Sequence, residues 1–114
     1  METIVRDAPT TIDALTAFRQ INHGDAWRLA RLGARNRAYS EDLGYIQFDV
    51  TLGRKYRVIV KLDADDTYAV EIGQMRKPRG SSIREYQVLS QVRGIYWDVL
   101  GETIERAALE VASA

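Results

Sequence analysis

Tyr45-Ile46-Gln47-Phe48-Asp49-Val50-Thr51-Leu52, then Gly53-Arg54-Lys55, then Tyr56-Arg57-Val58-Ile59-Val60-Lys61-Leu62, then Asp63-Ala64-Asp65-Asp66-Thr67 and Tyr68-Ala69-Val70-Glu71-Ile72-Gly73-Gln74-Met75: this stretch decides the fold. Ile46, Phe48, Val50 and Leu52 alternate with Tyr45, Gln47, Asp49 and Thr51. Tyr56, Val58, Val60 and Leu62 alternate with Arg57, Ile59 and Lys61. A period of two, apolar against polar, is what a strand needs when one face is buried and the other wet. A loop from Asp63 to Thr67 pairs Leu62 with Tyr68, Val60 with Val70 and Val58 with Ile72, so six apolar-face residues agree in register.

The first connection sets a conflict. A two-residue Gly53-Arg54 hairpin would pair Leu52 with Lys55 and set Val50 opposite Arg57. Burying the Arg57 and Lys61 face costs far more than rearranging a turn, so the sequence predicts a bulge or a longer loop there.

Outward from this core, Ile12, Leu15, Phe18 and Ile21 recur at helical spacing after Thr10, a capping residue, with Gly24 as the stop. This predicts a helix over 11–22. Residues 25–32 fit either a short helix capped by Asp25 or an edge strand. Residues 33–44 read as a loop, 77–82 as a connection, and 83–92 as a fourth strand with Tyr86, Val88 and Val92 inward. After Gly94, the residues Tyr96, Leu100, Thr103, Ile104, Ala107 and Val111 form one helical stripe flanked by Trp97 and Val99. The expected architecture is α+β: an antiparallel four-stranded meander with N-terminal and C-terminal helices packed on one face. Residues 1–10 are expected as a flexible arm and 11–112 as a single domain.

Composition narrows the chemistry. The chain has 114 residues, 46% apolar and 28% charged, an ordinary globular balance. Sixteen basic and sixteen acidic side chains cancel, and thirteen of the cations are Arg. With no Cys, disulfides, thiolate nucleophiles and Cys-ligated zinc are excluded. No apolar run reaches the roughly 18 residues of a membrane span, and Met1–Asp7 lacks the pattern of a secretory signal, so the cytoplasm is the expected location.

Asp63, Asp65 and Asp66 do not make a calcium loop, because the positions that want Gly and Glu hold Tyr68 and Gln74. Short Asp side chains bonding their own turn account for them. His23 is the single histidine, so no His pair exists. No Ser or Thr sits in a strand–elbow–helix setting, and Gly33, Gly44 and Gly53 are isolated rather than part of a phosphate loop. No enzyme, cofactor or metal site is expected.

The charge order carries more. Twelve of the sixteen cations fall in three acid-free windows, 28–37, 54–61 and 76–84. If their loops meet at one end, Arg35, Arg37, Arg54, Lys55, Lys77 and Arg79 become contacts for phosphate or a partner, with Tyr39 and Tyr45 available to stack on bases.

The hairpin Val58-Ile59-Val60-Lys61-Leu62-Asp63-Ala64-Asp65-Asp66-Thr67-Tyr68-Ala69-Val70 resembles one in a widespread group of short uncharacterised bacteriophage and prophage proteins. Gly94-Ile95-Tyr96-Trp97-Asp98-Val99-Leu100 is similar to the Val-Tyr-x-Asp-x-Leu that opens their last helix, and Gly33-Ala34-Arg35-Asn36 to a corner after their first strand. The resemblance implies a strand over 25–32 and a small non-enzymatic accessory protein in a bacterial host cell, acting by binding an unknown protein partner. It carries no catalytic residues. The alternative from the residues alone is a small nucleic-acid-binding module using 28–37, 54–61 and 76–84. A free edge strand also makes a homodimer an expectation to test.

Overall fold

A computed structural model describes residues 12–80 and 82–114. Two short helices lead, α1 (Ala14–Ile21) and α2 (Arg28–Arg31). Five strands follow: β1 (Arg35–Ser40), β2 (Tyr45–Leu52), β3 (Arg54–Leu62), β4 (Tyr68–Arg76) and β5 (Glu85–Ile95). A 3-10 turn (Trp97–Val99) then leads into α3 (Leu100–Ser113). All neighbouring strands are antiparallel, in the order β1-β2-β3-β4-β5.

The fold class is α+β with an open antiparallel sheet, but the sheet has five strands where four were expected. The extra one is β1. Its sequence, Arg35-Asn36-Arg37-Ala38-Tyr39-Ser40, has no apolar alternation because it is an edge strand with almost every residue exposed. What holds it is the backbone ladder to β2, which needs no apolar side chains. The strand implied over 25–32 is instead a helical turn: Arg31 N–H donates to Trp27 O at 2.7 Å and Leu32 N–H to Arg28 O at 3.0 Å. The expected helix over 11–22 spans Ala14–Ile21, with Asp13 accepting from Thr16 N–H as its cap. The expected cap at Thr10 and the arm over 1–10 lie outside the described residues.

The β2–β3 conflict resolves by shortening. Leu52 pairs with Arg54 around Gly53 alone, so Val50 faces Tyr56 and Phe48 faces Val58. Gly53 takes φ +81°, a left-handed conformation that L side chains resist. The β3–β4 register is the expected one: Leu62 with Tyr68, Val60 with Val70, Val58 with Ile72.

One face of the sheet carries Ile46, Phe48, Val50, Tyr56, Val58, Val60, Tyr68, Val70 and Ile72 against the helices, all buried. From α1 come Ala14, Ala17 and Ile21, from α3 Leu100, Ile104, Ala107 and Ala108. On α3 the expected stripe is correct for Leu100, Ile104 and Ala107. It fails at Tyr96, which precedes the helix and is 67% exposed. The fourth expected strand is β5, but Tyr86 and Val88 do not face the core. Val92 faces inward as expected, and with register shifts between Ile72 and Gly73 and between Tyr68 and Val70, Leu89 and Ile95 join it in place of Tyr86 and Val88.

α1 and α3 meet over a polar knot. Arg28 is 6% exposed; its Nη1 donates to Ile21 O at 2.9 Å and His23 O at 3.0 Å, satisfying carbonyls at the end of α1. Its Nε donates to Glu105 Oε1 at 3.2 Å, and Arg31 Nη2 reaches Glu105 Oε2 at 2.7 Å. Arg31 also pairs with Asp25. The guanidinium fits because α3 presents Gly101, whose missing Cβ would fall inside contact distance of Ile21 O and Arg28 Nη1.

Candidate nucleic-acid interface

Antiparallel order fixes which loops share an end. The β2–β3 turn, the start of β1, the end of β4 and the β4–β5 connection lie at one end of the sheet; the β1–β2 and β3–β4 loops lie at the other. The second end holds Glu41, Asp42, Asp63, Asp65 and Asp66. The first holds Arg54, Lys55, Arg76, Lys77, Arg79 and Arg84, with Glu85 as the nearby acid. There is thus a basic rim and an acidic one.

The same division separates the layers. The five strands with the β4–β5 connection carry eleven cations against three carboxylates, Asp49, Glu71 and Glu85. The rest of the described chain carries four cations, Arg19, Arg28, Arg31 and Arg106, against eleven carboxylates. A net charge of zero therefore hides two opposed poles, and the local field differs sharply from its sum.

The face of the sheet away from the helices is open. β3 runs along it with Lys55, Arg57, Ile59 and Lys61, and Arg35 of β1 pairs across Asp49. Asp49 and Glu71 are the carboxylates of this face, and both are occupied. Asp49 is 3% exposed; Asn36 Nδ2 donates to its Oδ2 at 2.9 Å and Arg57 Nε to its Oδ1 at 3.1 Å, with Lys55 Nζ at 3.8 Å. Asn36 reaches it because β1 shifts register between Arg35 and Ala38, with Asn36 at φ +55°. Burial pushes the Asp49 carboxyl up, but the two hydrogen bonds and the charges of Arg57 and Lys55 outweigh it and hold the carboxyl below the usual range.

Glu71 accepts from Tyr86 Oη at 2.9 Å and from Gln91 Nε2 at 3.1 Å. The Tyr86 ring crosses Gly73, where a Cβ would strike it. Burial first, and then the hydrogen bond and charge of Glu71, push the Tyr86 phenol up. Arg57 is bonded through Nε alone, so its terminal nitrogens remain available. Arg35, Arg54, Lys61, Lys77, Arg79, Arg84 and Arg93 form no ion pair among the described residues.

Of the six residues singled out by sequence, Arg54, Lys55, Lys77 and Arg79 come together at the basic rim. Arg54 and Arg76 flank a cleft of about 420 Å³ floored by Tyr56, Leu89 and Val111, and Arg76, Lys77 and Arg79 line the adjoining hollow. Arg35 lies beside this group, in the row of Asp49 and Arg57. Arg37 does not join: its guanidinium sits 5.2 Å from the Phe18 ring centroid on the helix side. Arg28 and Arg31, from the first cation window, are consumed by the knot with Glu105. Arg57, Lys61, Arg76 and Arg84 fell in the same windows and belong to the surface; Arg93 lay in no window. It lines a shallow open-face groove with Lys61, Ala69 and Gln91. Tyr45 is half-buried beside Lys61, and Tyr39 is exposed opposite Ile46, toward the helix side.

The acidic turn behaves as expected of Asp in a loop: Asp65 Oδ1 accepts from Thr67 N–H at 3.1 Å and Thr67 Oγ1 at 2.6 Å. Among the described residues no group of three His, Cys, Asp or Glu is placed to hold a metal, and no helix is long and apolar enough to cross a membrane. Comparisons with protein-family models, with curated proteins and with solved structures find no match for this chain.

Proposed function

We propose that this is a non-enzymatic binding protein whose open sheet face and basic rim take the phosphate backbone of nucleic acid. One observation carries the reading: both carboxylates of the open face are held by hydrogen bonds inside the protein, Asp49 by Asn36 and Arg57 and Glu71 by Tyr86 and Gln91, while Lys61 and Arg93 of the same face form no ion pair among the described residues. A solvated polar face made for solubility alone would balance its signs, whereas this one pairs Asp49 with Arg57 and Lys55 across β2 and β3 and leaves Lys61 and Arg93 over. Here Lys55, Arg57 and Lys61 take the open-face positions of β3, every alternate residue from 55 to 61 but Ile59, with about 6.8 Å between alternate residues. Such a track follows a chain of phosphates and reads no base, so the expected binding is sequence-tolerant.

Fluorescence anisotropy with labelled single-stranded and duplex oligonucleotides tests this across a salt series. Binding is expected to weaken linearly in log salt, with a slope of about 0.7 to 0.9 per phosphate contacted. The triple variant Arg54→Glu, Lys77→Glu, Arg79→Glu is expected to flatten that slope by about two or more contacts. Absence of binding at low salt, or a triple variant that binds like the parent, overturns the reading.

A further inference from the structure

The chain has two tryptophans, and neither is in the core. Trp27 is 74% exposed and Trp97 49%, with Tyr96 and Val99 exposed beside Trp97. The His23 ring packs edge-on against Trp97 with centroids 4.9 Å apart, and Trp27 lies in the next turn along the chain, directly before Arg28. The Arg28 knot behind them fixes this contact: Arg28 holds Ile21 O and His23 O and abuts Gly101 of α3. Large aromatics on a rigid support, outside the core, are the anchors of interfaces rather than of folds.

The surroundings specify the occupant. Asp98 and Glu102 lie one helical turn apart beside Trp97; both are exposed and neither takes part in a hydrogen bond or ion pair among the described residues. The nearby cations Arg28 and Arg31 are spent on Glu105 and Asp25. The site thus offers indole faces and unpaired carboxylates together. An arginine side chain satisfies both, since its planar guanidinium stacks on an aromatic face while its nitrogens reach a carboxylate, and its stem covers apolar surface.

We infer that the Trp27–Trp97 surface docks an arginine-rich segment of a protein partner. This is independent of the nucleic-acid reading, because it uses the opposite pole of the molecule. The two tryptophans make the test direct, as all indole emission comes from this surface.

A short synthetic peptide alternating Arg and Leu is titrated into the full chain. A blue shift in emission and reduced acrylamide quenching are expected. The same peptide with citrulline for Arg, isosteric and neutral, is expected to give neither, and a Lys version to bind more weakly. The double variant Asp98→Lys, Glu102→Lys changes two exposed side chains and is expected to weaken the Arg peptide about tenfold at low salt, with an unchanged circular dichroism spectrum. Trp97→Phe keeps Trp27 as the reporter and part of the surface, and is expected to retain weaker binding. An unshifted emission, an equal response to the citrulline peptide, or a double variant that binds the Arg peptide like the parent overturns the proposal. So does a shift that follows protein concentration without peptide and coincides with dimer in sedimentation, which would make a second copy the occupant.

Discussion

Gly101→Ala is expected to destabilise the protein although it replaces glycine inside a helix with the best helix former. Propensity alone favours the change by about 1 kcal/mol. Position 101 is where α3 crosses the end of α1, and the added methyl would meet a backbone carbonyl, Ile21 O, and the buried head of Arg28. The carbonyl belongs to a helix end and cannot turn aside as a side chain would. Separating the helices costs ~1–3 kcal/mol as overpacking. Displacing Arg28 strips partners from Ile21 O and His23 O and leaves a buried cation poorly bonded, about 1–3 kcal/mol more. The net loss is ~1–5 kcal/mol, a fall in Tm of roughly 4–20 °C for a domain of this size. Urea and thermal unfolding followed by circular dichroism measure it, with Arg28→Met as a companion that removes the same bonds and leaves the helix crossing its room. A Gly101→Ala protein as stable as the parent, or more so, refutes the packing of α3 on the Arg28 knot.

Other perturbations probe the open face. Asp49→Asn keeps an acceptor for Arg57 but sets an amide donor against Asn36 Nδ2 or loses the Arg57 bond, and is expected to cost about 1–3 kcal/mol in chemical denaturation. Because the folded Asp49 and Glu105 carboxyls titrate below their unfolded values, their contribution is full above pH ~5 and is lost as pH falls through the folded values. For Glu105 the cause is first the Arg31 hydrogen bond, then that of Arg28, against burial. Acid unfolding of Asp49→Asn should accordingly be shallower than that of the parent. The Tyr86 phenol has the opposite sign: raised in the folded state, it contributes fully below pH ~10 and loses that contribution as pH rises above it. Ultraviolet titration is expected to show late-ionising tyrosines, since burial raises Tyr68 as well, and the latest step disappears in Tyr86→Phe. Gly73→Ala, which drives a methyl into the Tyr86 ring, is expected to break the Tyr86–Glu71 bond and bring that late step earlier.

The middle of the fold was legible because its strands bury one face. Val58, Val60 and Leu62 against Ile72, Val70 and Tyr68 admit a single register, and the structure has it. β1 was not legible because an edge strand with wet side chains leaves only its backbone to specify it. β5 was misread in phase because two bulges each reset the alternation, and alternation is all a sequence shows. Tyr96 was assigned to the core by helical spacing, but the helix begins after a 3-10 turn, which changes the angle at which that residue projects. At the site, acid-free windows singled out Arg54, Lys55, Lys77 and Arg79, which the strand order puts at one end of the sheet. They could not separate Arg37, drawn to Phe18, or Arg28 and Arg31, drawn to Glu105, because those partners lie distant in sequence. That Asp49 and Glu71 find hydrogen-bond partners depends on the Asn36 bulge and on Tyr86 crossing Gly73, neither of which has a local signature.

The most direct measurement is a two-dimensional amide spectrum of labelled protein titrated with a short oligonucleotide. Resonances of Lys55, Arg57, Lys61, Lys77 and Arg79 are expected to move together with increasing ligand, and to return as salt is raised, while those of α1 and the first two turns of α3 stay in place. Movement concentrated on α1, α3 and the loops of the acidic rim, with β3 unmoved, would contradict the assignment of the cationic sheet face as the binding surface.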